Sequence, residues 1–190
     1  MQRYAITNGA TGAQVEAWAR AGVEWVQIRE PGLGVAALLR LTEELAAMCR
    51  AGQGQTRLLV NGLDAASALG AGAEGVHLRG GAGAAHVAAA RELGARVSVS
   101  CHSLADIKHA CCGGADALLW APVFGKTVDG ALVIQGSGLD ALAAACRVAG
   151  ETPVFALGGV TPQNAQQCLH AGTAGVAGIR LFAGELWREL

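Results

Sequence analysis

The sequence predicts an α/β fold: one compact (β/α)8 TIM barrel in a single domain, residues 1–190. Three observations predict it. Short apolar segments alternate with Ala/Leu-rich helical stretches along the whole chain, as a parallel sheet with right-handed crossovers requires. The repeat is roughly 24 residues, 190 shared among eight units, close to the least that one βα unit needs. Several helix ends carry the same punctuation, with Gly just past the last helical residue: Ala21-Gly22-Val23-Glu24, Ala71-Gly72-Ala73-Glu74, Gly113-Gly114-Ala115-Asp116 and Ala171-Gly172-Thr173-Ala174. An open doubly wound sheet is the alternative, but no GxGxxG follows the first strand, where its dinucleotide fingerprint belongs.

In chain order, the strands are expected at Arg3–Thr7, Glu24–Ile28, Arg57–Val60, Gly75–Leu78, Arg96–Ser100, Ala117–Trp120, Pro153–Leu157 and Val176–Ile179. Each is a short, mostly apolar segment, too brief for a helix. Helices are expected at Ala13–Ala21, Val35–Arg50, Ala65–Gly70, Ala84–Leu93, Leu104–Cys112, Leu139–Val148 and Pro162–His170, with a last turn starting near Leu181. The loosest segments are Gly80–Ala84 and Gly125–Gly138. The second is the longest loop and is expected to lie over the site.

Composition narrows the function classes. At 52% hydrophobic and 15% charged, the chain is neither disordered nor a transit tail, and no apolar run is long enough to span a bilayer. Fourteen basic against 15 acidic residues give a formal charge of −1, with no basic face for nucleic acid or a membrane surface. The opening residues MQRYAITNG read as a strand rather than a signal peptide. The six cysteines form no CxxC pair and read as reduced thiols packed as small hydrophobes, in a cytoplasmic protein. A vicinal redox pair at Cys111-Cys112 is the alternative. A homodimer is expected on base rates.

In a barrel, function sits where strands end at the C-terminal face. That rule shortens the search. Gly158-Gly159 after the seventh strand and Gly178-Ile179-Arg180 after the eighth read as a phosphate site, because Gly lets backbone amides approach an oxyanion and Arg180 adds a forked cation. Tight turns would also explain the glycines. Gln27 and Arg29 share the inward face of the second strand, with Ile28 outward. Arg29 then holds an anion or pairs with a carboxylate such as Glu30. Asn61 ends the third strand. Ser98, Ser100 and His102 share one parity, which puts His102 at the mouth as the candidate acid/base, since imidazole moves protons either way near neutral pH. His77 reads as a packed, hydrogen-bonded core residue, and His86, His109 and His170 as surface. Lys126 in the long loop after the sixth strand can close over an anionic ligand or simply be solvated. Carboxylates are too few at the mouth for a metal, and no cofactor is implied.

The runs RYAITNG, VEWVQIRE, LLVNGLDAASALGAGAEGVHL, VSVSCHS, DALLWAPVF-x-KT and PVFALGGVTPQN together resemble the thiamine phosphate synthase superfamily, in the same order over nearly the whole chain. Each piece alone is weak; the set is specific. The resemblance implies a (β/α)8 fold with substrate phosphate held by the late strands. The departures are informative. Where the family reads Q-x-R-x-K, this chain reads Gln27-Ile-Arg-Glu-Pro31. Where an Asp follows the strand-three Asn, Gly62 follows Asn61. After Val76-His-Leu-Arg-Gly-Gly-Ala82 the second family Asp is missing. The family uses these three groups to hold magnesium pyrophosphate.

A sister branch, the TenI or thiazole tautomerase branch, lacks that equipment. It aromatises a thiazole carboxylate phosphate by a metal-free proton shift. Val99-Ser100-Cys101-His102-Ser103 is similar to its S-x-H-S motif. The resemblance then implies a tautomerase acting on a small phosphorylated heterocycle. In it His102 shuttles the proton, Arg29 holds the carboxylate, and the strand-seven and strand-eight backbones hold the phosphate. Thiamine phosphate synthase and a catalytically silent phosphate-binding regulatory barrel are the alternatives. Another phosphate-binding barrel, a sugar-phosphate epimerase or lyase, is a further one, although no strand carries an evident Schiff-base Lys.

Overall fold

Residues 1–51, 55–128 and 131–190 are described by a computed structural model, without the side chains of 126–128 and 131–133. Eight parallel strands close into a barrel: β1 (Gln2–Ile6), β2 (Trp25–Ile28), β3 (Arg57–Val60), β4 (Gly75–Leu78), β5 (Arg96–Cys101), β6 (Ala117–Trp120), β9 (Val154–Ala156) and β10 (Gly175–Gly178). The order around the barrel is β1-β10-β9-β6-β5-β4-β3-β2. Closure comes from β1 pairing with β10, Gln2 opposite Gly175 and Ala5 opposite Gly178.

Residue alternation sorts every strand into two surfaces. Tyr4, Ile6, Trp25, Leu59, Ala117, Leu119, Phe155 and Ala177 fill the barrel interior. Their neighbours Ala5, Val26, Ile28, Leu58, Val60, Val76, Val97, Val99, Leu118 and Ala156 point outward against the helices. The interior holds an aromatic triad: Tyr4 stacks on Trp25 at 5.9 Å between centroids, and Phe155 meets both edge-on at 5.3 and 6.2 Å.

The helices are α1 (Gly12–Arg20), α2 (Val35–Ala51), α3 (Ala65–Gly70), α4 (Ala84–Glu92), α5 (Leu104–Cys112), α6 (Gly138–Ala149), α7 (Pro162–His170) and α8 (Arg180–Ala183), followed by a 3-10 turn at Leu186–Glu189. Their N-termini face the mouth, so the caps of α1, α3 and α5 also pin the βα loops. Thr11 and Gln14 close a capping box on α1, Asp64 caps α3 and Ser103 with Asp106 caps α5. Among the described residues no helix is long and apolar enough to cross a membrane. All six cysteines are free, Cys111 half-buried and Cys112 exposed.

Two expectations change. The segment after β6 is more than a loop: it carries an antiparallel hairpin, β7 (Lys126–Val128) with β8 (Ala131–Ile134). Its sequence signal was present, a β-branched and apolar run on either side of Asp-Gly. The last strand ends one residue early, at Gly178, because Ile179 leaves extended geometry (φ −93°, ψ −66°) to start α8.

Candidate active site

Among the described residues, two large cavities open on the C-terminal mouth. The first, about 670 Å³, lies over the ends of β2, β3, β4 and β5 and is lined by Arg29, Glu30, Asn61, Arg79, Ser100 and His102, with Leu33, Val35 and Leu38 on its apolar side. The second, about 570 Å³, lies over β9 and β10 and is lined by Gly158, Gly159, Val160, Thr161, Gly178, Ile179 and Arg180. Of the predicted residues, Arg29, Asn61, Ser100 and His102 line the first and Gly158, Gly159, Gly178, Ile179 and Arg180 the second.

His102 is positioned by its neighbours in sequence. Its amide donates to Asp106 Oδ2 at 2.9 Å, which ties it to the α5 cap. Burial alone would raise the Asp106 carboxyl, but hydrogen bonds from His102 and Ser103 outweigh it and hold the group below its usual range. The imidazole Nδ1 lies 2.7 Å from the Ala121 carbonyl. A carbonyl only accepts, so Nδ1 carries hydrogen and neutral His102 presents Nε2 as an acceptor. The ring rests against Gly80: a Cβ there would stand 2.7 Å from His102 Cδ2 and 3.1 Å from Nε2. Cys101 plays no part in this, since its thiol is buried on the helix side of β5 and desolvation pushes it up to about 12.

Below the mouth runs a buried polar chain. Tyr4 Oη and His77 Nδ1 both meet Ser98 Oγ at 2.8 Å, and His77 Nε2 meets Ser100 Oγ at 2.8 Å. Burial, with the Arg29 charge added, pulls His77 down to about 3, so the ring is neutral. His77 is the packed, hydrogen-bonded residue the sequence suggested, and Ser100 links it to the first cavity.

The remaining residues fall as follows. Ile28 points outward and Arg29 reaches the cavity. The suggested Arg29–Glu30 pair is absent among the described residues. Glu30 Oε1 accepts instead from Thr7 Oγ1 (2.7 Å), and the Gly9 amide lies 2.9 Å from both carboxylate oxygens. Gln27 does not line the cavity; it is buried deeper (1% exposed), with Oε1 unpartnered. The Lys126 side chain lies outside the described residues. Gly158 and Gly159 have positive φ (96° and 69°), and a Cβ at either would meet Pro122 or Phe124 at under 3 Å. Both the turn and the close approach therefore require glycine. Their amides donate no hydrogen bond within the described residues, leaving them free for an oxyanion. The apolar wall of Leu33 and Val35, 43% and 62% exposed, had no sequence signal, because a Pro-Gly-Leu-Gly loop gives no periodicity to orient side chains.

A divalent ion, which the synthase alternative implies, does not fit these residues. Among the described residues no three His, Cys, Asp or Glu cluster around a common point. The carboxylate lining the first cavity, Glu30, is already engaged, and hard cations need several oxygen donors. Gly62 has no side chain and sits at φ +108°, where any L-residue is strained.

The sequence pattern of thiamine monophosphate synthase matches residues 3–182. The chain belongs to that family. A Geobacter sulfurreducens protein with a provisional thiamine-phosphate synthase name is 40% identical over 170 residues, 87% of this chain and 76% of its own. Thiamine-phosphate synthase of Methanoregula boonei is 34% identical over 194 residues, 96% of this chain and 85% of its own. A solved thiamine phosphate pyrophosphorylase from Pyrococcus furiosus shares the fold at TM-score 0.80 and 24% identity, covering 99% of this chain and 90% of that one. Within the thiamine monophosphate synthase family, these relatives carry the name of the coupling enzyme. They back the synthase alternative better than the tautomerase that the strand-five motif suggested.

Proposed function

We propose that this chain joins a phosphorylated thiazole to a pyrimidine carrying a diphosphate, the thiamine phosphate synthase reaction. The observation that carries the reading is the pair of cavities on one mouth, each with its own anion-binding groups. A reaction with two phosphorylated substrates needs both. In this reading the amides of Gly158 and Gly159, with Gly178, Ile179 and Arg180, hold the single phosphate. Arg29, Asn61 and Ser100 face the diphosphate, and the guanidinium stabilises charge that grows on it as it leaves. Leu33 and Val35 cover the ring and exclude water.

The test is to mix the purified chain with both halves and follow thiamine phosphate by mass spectrometry. Product is expected, with kcat/KM falling about 10- to 100-fold in Arg29→Ala. No product at saturating substrate overturns the reading.

A second reading, the metal-free thiazole tautomerase, is favoured by His102, whose Nε2 is an open acceptor while Nδ1 is fixed. One such ring can take a proton and return it. Accelerated aromatisation of the thiazole carboxylate phosphate, abolished in His102→Ala and without coupling, supports it; coupling that survives His102→Ala goes against it.

A further inference from the structure

We propose that the first cavity holds a diphosphate directly on the cations Arg29 and Arg79, with no divalent ion between ligand and protein. This deepens the coupling reading and rests on it for the identity of the ligand's carrier. Arg29 follows β2 and Arg79 follows β4, so the two flank the end of β3. Their backbones are two strand spacings apart, roughly 9–10 Å, a gap that two long side chains span around a two-phosphate group. Both line the same cavity, and neither makes an ion pair among the described residues.

What stands between them matters equally. Asn61, with no side-chain hydrogen bond inside the described protein, ends β3. Gly62 follows at φ +108°, where a Cβ would stand 3.3 Å from Leu38 Cδ2, and adds no side chain to that strand end. The cavity's carboxylate, Glu30, is turned to Thr7 and Gly9 and makes no ion pair with either arginine among the described residues. His77 beneath is neutral and adds no charge to that of the two arginines. Two guanidiniums on one cavity repel a third cation and supply the charge that a bridging metal would bring. The fork geometry suits phosphate oxygens bidentately. Arg79 is therefore the specificity-determining residue that makes diphosphate binding independent of metal.

Calorimetric titration of the full chain with inorganic pyrophosphate in excess EDTA, then in magnesium, tests this. Binding in EDTA is expected, with no gain on adding magnesium. Arg79→Ala is expected to weaken it about tenfold or more, and Arg79→Lys to recover part. Arg147→Ala, on exposed α6 surface away from the mouth, serves as the charge control and binds like the parent. Because Arg79 is exposed, the variants should melt with the parent, which separates lost binding from lost fold. Binding that needs magnesium, or an Arg79→Ala that binds like the parent, overturns the proposal. Pyrophosphate bound in EDTA without any coupling of the two halves overturns the proposed function and leaves this inference standing. Coupling with magnesium-dependent pyrophosphate binding does the reverse.

Discussion

His102 is held from two sides, by the α5 cap through its backbone and by the Ala121 carbonyl through its ring, while Gly80 supplies the space the ring occupies. Gly80→Ala puts a methyl group where the imidazole lies. It should therefore mimic His102→Ala in whichever reaction uses the ring, while the melting temperature barely moves. Kinetics beside thermal unfolding check this. His77 makes a different prediction. Its folded pKa of about 3 lies below the ordinary 6.5, so the unfolded chain binds the extra proton. Stability from this group is complete above pH 6.5 and is lost as pH falls toward 3, by about 1.4 kcal/mol per pH unit. Denaturant titrations from pH 7 to 4 should show that slope in the parent and a flatter one in His77→Gln.

At the level of elements, the site lies on loops whose ends are fixed by caps and packing. Gly158→Ala must both leave positive φ and press on Pro122. A loss of about 1–3 kcal/mol is expected, together with weaker binding of inorganic phosphate, measured by denaturant and by calorimetry. Strand parity made much of this legible from sequence. Gln27 and Ile28 fall on opposite faces as alternation demands, and Ser98, Ser100 and His102 climb one face to the mouth. Parity says nothing about how deep a residue sits, so Gln27 was expected on the cavity wall and lies beneath it. Nor does it say which strand ends share a cavity, because that depends on barrel order. That Arg79 lines one cavity with Arg29 came from the structure. The β7–β8 hairpin was hidden by a turn-rich composition that reads as loop unless the alternation around Asp-Gly is counted.

Among the described residues there are two cores, one inside the barrel and one between barrel and helices. Leu59 and Leu118 are both fully buried, but Leu59 packs in the interior and Leu118 beneath the helices. Truncation to Ala should cost about 2–5 kcal/mol at each. The larger loss is expected at Leu59, where strands hydrogen-bonded all round cannot collapse onto the gap; urea unfolding of the two variants checks the order. Closure through β1 and β10 has a consequence for synthesis. β1 is synthesised before β10, and one edge of that strand stays unsatisfied until Gly175–Gly178 has been translated. The growing chain therefore carries an open sheet edge for most of its synthesis, a sticky intermediate for which chaperones compete. Pairing the first strand with the last adds contacts of long sequence separation, the kind that slows folding.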